Sequence, residues 1–302
     1  MKSSVPKDAR PGRTLVKKGW FSMRYQITSD STCDLSPELL QRYNIRLLPL
    51  YVNMDGKTLR DGVDVRPDDI YAHVSAGGGL PKTAAVNLAD YVRMFTELSA
   101  QNDFVIHICI SLDFSCCYQN ACLAAQEFDN VYVVDSENLS SGQGLLVVAA
   151  AKLAAQGLSG SEIAERVRAL APKVEASFLI ERLDYMRKGG RCSAVAALGA
   201  NLLHLKPCIE VRNGKMAVCK KYRGSFEKCI RQYVKERLDG REDIAPELAF
   251  ITHAAADANV VVAAKEEAAQ YGSFETVEET QAGCTVSCHC GPNTLGILFV
   301  RK

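Results

Sequence analysis

Short apolar runs alternate along the chain with segments whose apolar residues recur every three or four positions, and this alternation predicts most of the elements. Residues 104–110 (FVIHICI) form a nearly unbroken apolar run rich in β-branched side chains, the composition of a strand buried on both faces. The pattern then changes abruptly. Ser111, Asp113 and Ser115 make a polar turn, after which Tyr118, Ala121, Cys122, Ala125 and Phe128 follow helical spacing. A buried strand leading through such a turn into an amphipathic helix marks the carboxyl edge of an open α/β sheet, where ligands bind. Ser115 can set its hydroxyl beside the free N–H groups of the helix's first turn, an anion site in outline. The plainer alternative is that Ser115 caps the helix.

The same signals order the rest. Residues 25–28 predict a strand that runs into a second hydroxyl-rich turn, Ser29-Asp30-Ser31-Thr32, and Ser36-Pro37 predict an N-cap and first helical position. A strand is expected over 46–52, a hairpin turn at Asp55-Gly56, a helix over 67–74 and a flexible loop over 77–83. Asn87 caps a helix whose apolar face is Tyr91, Met94, Phe95 and Leu98; a strand over 130–134, a helix over 144–156 and one from Ser159 or Ser161 to 170 follow. Strands alternating with helices predict a parallel sheet covered on both sides. From about 173 the texture shifts. A strand over 177–180, a helix over 183–188, Gly189-Gly190-Arg191 and a small-residue helix over 194–203 precede a hairpin about Asn213-Gly214. Helices over 225–238 and 256–270 then alternate with strands over 247–252, 274–280 and 296–300. The expected fold class is therefore α/β: a parallel-sheet N-terminal domain with flanking helices over 24–172, and a second, α+β domain over 173–302. Residues 1–23 carry six basic residues and one acid, Asp8, with no apolar stretch behind them. They are expected to be a disordered leader and not a secretory signal, with Met23 an alternative start.

Charge narrows the partners. A net charge of +1 over 302 residues supplies no field for nucleic acid or an anionic membrane. The longest apolar run, near 145–151, is cut by Lys152, far short of a membrane span, so a cytoplasmic protein without stable membrane insertion is expected. Twelve cysteines, several inside apolar runs, read as reduced buried thiols. Cys284, Cys288, His289 and Cys290 are the one cluster with metal-ligand character, but they lack a second C-x-x-C, and as a strand they would face opposite ways. No metal or cofactor is expected.

Nucleotide motifs fall short. Residues 78–83 end in Lys-Thr as a phosphate loop does, yet Pro81 occupies the place of the glycine. Gly142-Gln143-Gly144 meets Val147 where a third glycine belongs, so these read as turn glycines. A serine hydrolase elbow is also missing, because Phe114 and Cys116 flank Ser115.

Several segments in order, ITSDSTCDLS (27–36), PKTAAVN (81–87), ISLDFSCCYQNA (110–121), VVDSENLSSGQG (133–144), LDYMRKGGRCS (183–193), LKPCIEVRNGKM (205–216) and HCGPNTLGILF (289–299), resemble the DegV family. These are fatty-acid-binding proteins that serve as lipid-carrying subunits of bacterial fatty acid kinase. The resemblance implies a ligand tunnel between the two domains and a non-catalytic carrier with no cofactor. Its ligand would be a long-chain fatty acid, and its partner a kinase catalytic subunit of dihydroxyacetone-kinase type. It also implies that Thr83 and Ser115 bond the fatty acid's carboxyl group, and that Arg191 and His289 serve the head group and its phosphoryl transfer. Three places depart from the family pattern. Ala84 to Asn87 lack its second serine and proline, Cys116 stands at a head-group position where the family has glycine, and Asn293 replaces another glycine.

Physical chemistry agrees with such a carrier. About 0.8 kcal/mol per buried methylene gives an acyl chain of about sixteen carbons on the order of 12 kcal/mol gross, offset by association costs of about 4–15 kcal/mol. Apolar walls, with helix 194–203 as a candidate lining, thus supply affinity, and only the head needs polar partners. The alternative function is a serine acyl-ester hydrolase with Ser115 as nucleophile and His289 as base, which requires a Ser–His contact and an acid to orient the histidine.

Overall fold

The computed structural model describes residues 23–192 and 205–302; the leader and the small-residue helix expected over 194–203 lie outside them. Its N-terminal half is a four-stranded parallel sheet in the order β2-β1-β6-β7. The strands are β1 (Tyr25–Asp30), β2 (Ile45–Leu48), β6 (Phe104–Cys109) and β7 (Val131–Asp135). Every residue of β6 is buried, as its apolar run requires of a central parallel strand. From β1 the chain steps outward to β2, and from β6 it steps the opposite way to β7, so strand order reverses between β1 and β6. In such sheets the crevice outside the carboxyl ends at that reversal is where ligands bind. Helices α1 (Pro37–Arg42), α3 (Leu88–Gln101), α4 (Cys117–Ala125) and α6 (Gly160–Leu170) flank the sheet. Three of the expected caps are made: Ser36, Asn87 and Ser159 each accept a backbone N–H of the helix they start.

The second half is a six-stranded sheet in the order β10-β9-β8-β13-β11-β12, antiparallel except where β11 meets β12. It comprises β8 (Val174–Ile180), β9 (Leu205–Arg212), β10 (Lys215–Arg223), β11 (Ile244–Ala254), β12 (Val277–Gln281) and β13 (Thr294–Arg301). Helices α8 (Phe226–Leu238) and α9 (Ala258–Tyr271) cover one face around Tyr233, Phe299 and Ile251. The other face meets α5 (Ser140–Ala155), whose residues are buried nearly all round, as a helix packed between two layers must be. Phe250, Leu298, Val211 and Ala176 of this sheet join the core of the parallel half beneath that helix.

Four local expectations are corrected. The single strand expected over 46–52 is two: β2 in the parallel sheet, and β3 (Tyr51–Met54) in a three-stranded sheet of order β4-β3-β5. Pro49 between them carries no N–H and cannot continue a ladder. Part of the loop expected over 77–83 is strand β5 (Lys82–Ala84), which β3 templates by pairing Val52 with Thr83; β4 is Lys57–Arg60. Helix α5 begins at Ser140, a turn earlier than expected, so Gly142 and Gly144 are helical packing glycines and not turn residues. A Cβ on Gly144 would lie 2.7 Å from the Cys33 carbonyl oxygen. Finally, Cys284–Cys290 is a helix, here α10, where a strand was expected. Helices α2 (Pro67–Ser75) and α7 (Leu183–Gly189) complete the α-helices among the described residues.

Candidate functional site

A cavity lies between the two sheets, its lining mostly apolar with a few polar groups, the composition usual for small-molecule sites. One wall consists of residues just past the carboxyl ends of parallel strands: Leu50 after β2, Ile110, Phe114 and Ser115 after β6, Leu139 and Ser140 after β7. Ala176, Phe178, Val211, Met216 and Leu298 of the six-stranded sheet form the opposite wall. Thr83 on β5 and His289 on α10 supply polar groups to the lining.

Thr83 and His289 meet directly, with Oγ1 and Nε2 2.9 Å apart. The other imidazole nitrogen, Nδ1, is buried and has no hydrogen-bond partner of good geometry. Burial first, and then the Arg191 guanidinium, draw the imidazole down to about 4, against the opposing influence of the Gly189 backbone. His289 is therefore neutral near pH 7. Gly189 explains part of the double glycine: a Cβ there would sit 2.3 Å from Nδ1. Gly190 closes α7 in the left-handed region, at φ 68°. Beyond it the exposed Arg191 lines the cavity and donates to the Gly189 carbonyl at 3.0 Å.

Ser115 lines the same cavity, but its hydroxyl is engaged locally. It accepts from the Cys117 N–H at 3.3 Å and lies 3.2 Å from Cys117 Sγ. The cap position itself falls to Cys116, without a side-chain bond. Cys116 is exposed and absent from the lining, so the structure unites Thr83, Ser115, Arg191 and His289 while setting Cys116 outside. Asn120 ties the two hydroxyl segments together by donating to the Val86 carbonyl at 2.8 Å.

Sequence reasoning missed what holds α10 in place. Asp61 accepts from the N–H groups of Cys284 at 2.8 Å and Thr285 at 3.0 Å, and Asp34 from that of Gly283 at 2.9 Å. These acceptors satisfy the free donors of a helix N-terminus. Burial pushes the Asp34 carboxyl up to about 8, opposed by bonds from Ser140 and Gly283 and aided by the charge of Asp61. Both aspartates lie in ordinary-looking turns, and no local pattern announces a helix more than two hundred positions away. The cysteines once weighed as metal ligands serve packing: Cys284 and Cys288 join Val52, Val65 and Ile70 in a small core. Asn293, where the resemblance leads one to expect glycine, adopts φ 53°, which asparagine tolerates. It also bonds Glu181 at 2.9 Å and the Asp257 N–H at 3.0 Å.

The match to a family model runs from residue 24 to 302 and carries the description of an uncharacterised protein family, DegV. The chain belongs to the DegV family. A DegV domain-containing protein of Caldanaerobacter subterraneus is 30% identical over 280 residues, covering 91% of this chain and 98% of that one. Among solved structures, a fatty-acid-binding DegV family protein from Thermus thermophilus superposes with a TM-score of 0.84 at 30% identity, over 93% of this chain and 100% of its own. A stearic acid-binding protein from Eubacterium ventriosum gives 0.82 at 27% identity, over 92% and 98%. Both neighbours are described as fatty-acid-binding, and the DegV fold matches the two sheets described above.

The hydrolase alternative finds no support. Ser115 bonds Cys117 and not His289, His289 Nε2 is taken by Thr83, and among the described residues no carboxylate orients the imidazole. Among the described residues no helix is long and apolar enough to cross a membrane.

Proposed function

We propose that the protein is a fatty-acid carrier: the cavity is the mouthward part of an acyl tunnel, and its polar corner holds the carboxyl group. The observation that carries this reading is an apolar-walled cavity into which Thr83, Ser115 and His289 all open; the fatty acids bound by DegV neighbours agree with it. A carboxylate leaving water needs hydrogen-bond donors in compensation. The Thr83 and Ser115 hydroxyls provide two, with an imidazole Nε2–H donating to Thr83 Oγ1 so that the threonine proton is free for the carboxylate, and neither demands a buried opposite charge. Methylenes along Phe114, Phe178, Met216 and Leu298 provide the affinity.

Arg191 stands exposed beside this corner, where a guanidinium suits a carboxylate or a phosphoryl group in transfer. We infer that the chain does no chemistry on the acyl group and presents the carboxylate to a separate kinase subunit of dihydroxyacetone-kinase type. That partner would bring ATP and magnesium and leave an acyl-phosphate. A cytoplasmic setting accords with twelve cysteines that are all free.

Native mass spectrometry of protein purified from bacteria tests the carrier reading. A mass increment matching a fatty acid, exchangeable for added oleate or palmitate, is expected; lipid-free protein that takes up neither would refute it. The kinase role is tested separately, by adding a candidate kinase subunit and labelled ATP. Label should appear in an acyl-phosphate with wild type and fall away when Arg191 is replaced by alanine.

A further inference from the structure

The outer edge of the six-stranded sheet carries a second reactive group of side chains, none of which lines the lipid cavity. Strands β9 and β10 pair antiparallel, but the register shifts between Val218 and Lys220, leaving Cys219 as an extra residue. Such a bulge interrupts the alternation of side chains and re-aims them. Val218 stands opposite Ile209 and Lys220 opposite Cys208, so Cys219 and Lys220 in succession turn to the face covered by α8. Lys220 reaches Glu236 there at 2.7 Å, and Nη2 of Arg237 lies 3.1 Å from Cys219 Sγ. The same nitrogen is 3.7 Å from Cys208 Sγ and 3.4 Å from Glu210 Oε2. One guanidinium therefore touches two thiols, of which Cys219 is exposed and Cys208 buried.

We propose that Cys219 is a hydroperoxide-reactive thiol and Cys208 its resolving partner, the two closing a disulfide across the β9–β10 ladder. A cation held against an accessible sulfur favours the thiolate, the nucleophilic form. Contact with Cys208, and then the charge of Arg237, draw the Cys219 thiol below its ordinary range against burial and Glu210. Cys208 moves the opposite way, chiefly through the same contact and burial, and Cys219 Sγ lies 3.4 Å from the Cys208 carbonyl oxygen. In a bulge two residues oppose one on the partner strand, so Cys219 and Lys220 share Cys208 as their neighbour across the ladder, and one guanidinium nitrogen lies 3.1 Å from Cys219 Sγ and 3.7 Å from Cys208 Sγ.

The chemistry balances. The Cys219 thiolate attacks the terminal oxygen of a hydroperoxide, the O–O bond breaks, and the departing alkoxide or hydroxide takes up a proton. Cys219 is then a sulfenic acid. The Cys208 thiol loses its proton as its sulfur attacks that of Cys219, the S–O bond breaks, and water leaves. Two thiols are oxidised to one disulfide, and the hydroperoxide yields one water together with an alcohol, or with a second water when it is hydrogen peroxide.

The full chain serves for the test, with the exposed Cys116 as internal reference. Brief iodoacetamide labelling at pH 7, read by peptide mass spectrometry, should modify Cys219 on the order of tenfold faster than Cys116. Hydrogen peroxide should link the Cys208 and Cys219 peptides with loss of two hydrogens, and C208S should instead yield a dimedone adduct on Cys219. R237Q should slow the labelling and R237K restore most of it. Labelling of Cys219 no faster than Cys116, or peroxide-treated wild type without the 208–219 link, would overturn the proposal.

Discussion

Thr83 Oγ1 and His289 Nε2 stand 2.9 Å apart although 206 positions separate them. One belongs to the last strand of the small three-stranded sheet, the other to a short helix before the final strand of the chain. Their contact joins the two halves of the molecule at the wall of the apolar cavity, and from it most testable consequences follow.

Hydroxyl donors are expected to carry head-group recognition. A hydrogen bond to a charged group contributes about 1.5–3 kcal/mol. Thr83→Val or Ser115→Ala alone should therefore weaken fatty-acid binding about 10- to 100-fold, and Thr83 and Ser115 both changed to alanine should abolish lipid retention. Displacement of a fluorescent fatty acid measures this; a double variant that keeps its cargo undiminished would contradict the assignment.

His289 should impose an acid limit on stability. An unfolded imidazole takes a proton near pH 6.5, but the folded one only at about 4. Between those values the unfolded chain binds more protons, so this contribution is intact above about 6.5 and is lost as pH falls toward 4. Thermal melts from pH 4 to 7 should show the difference between wild type and His289→Gln shrinking on acidification. Arg191→Gln, which removes a cation that opposes protonation, should move the His289 NMR titration upward.

Asp34 should act with the opposite sign. Its carboxyl, about 8 when folded and near 3.9 when unfolded, binds more protons in the folded state across that interval. Its contribution is full below about 4 and is lost as pH rises through 8. Asp34→Asn can still accept from Gly283 and donate to Ser140, so it should fold normally and flatten this alkaline slope. Asp61→Ala, which strips the acceptor from two buried N–H groups of α10, should cost about 1–3 kcal/mol per group. It should also weaken fatty-acid binding with Thr83 and Ser115 untouched.

Gly189→Ala separates geometry from chemistry. The backbone at 189 is ordinary helix, so alanine is tolerated there, but its methyl would fall 2.3 Å from Nδ1 of His289. The imidazole must move off Thr83. We expect a melting temperature within a few degrees of wild type alongside fatty-acid affinity reduced at least tenfold; unchanged affinity would show that the His289 position does not matter.

Much of the scaffold was legible in the chain itself, because the signals concerned are local. The apolar run of β6, the caps at Ser36, Asn87 and Ser159, and the Asn213-Gly214 turn each express a preference settled within a few residues. The order of its segments was likewise enough to indicate the DegV family. Tertiary structure decided the rest. Strand β5 exists because β3 lies beside it, and α10 is a helix whose first N–H groups are met by Asp34 and Asp61, 249 and 223 positions away. The bulge that turns Cys219 toward Arg237 arises only from the pairing of two strands. Hydrogen-bond partners and close packing between distant segments leave no periodic trace in a sequence, since the free energy that selects them is realised only once the chain has brought them together.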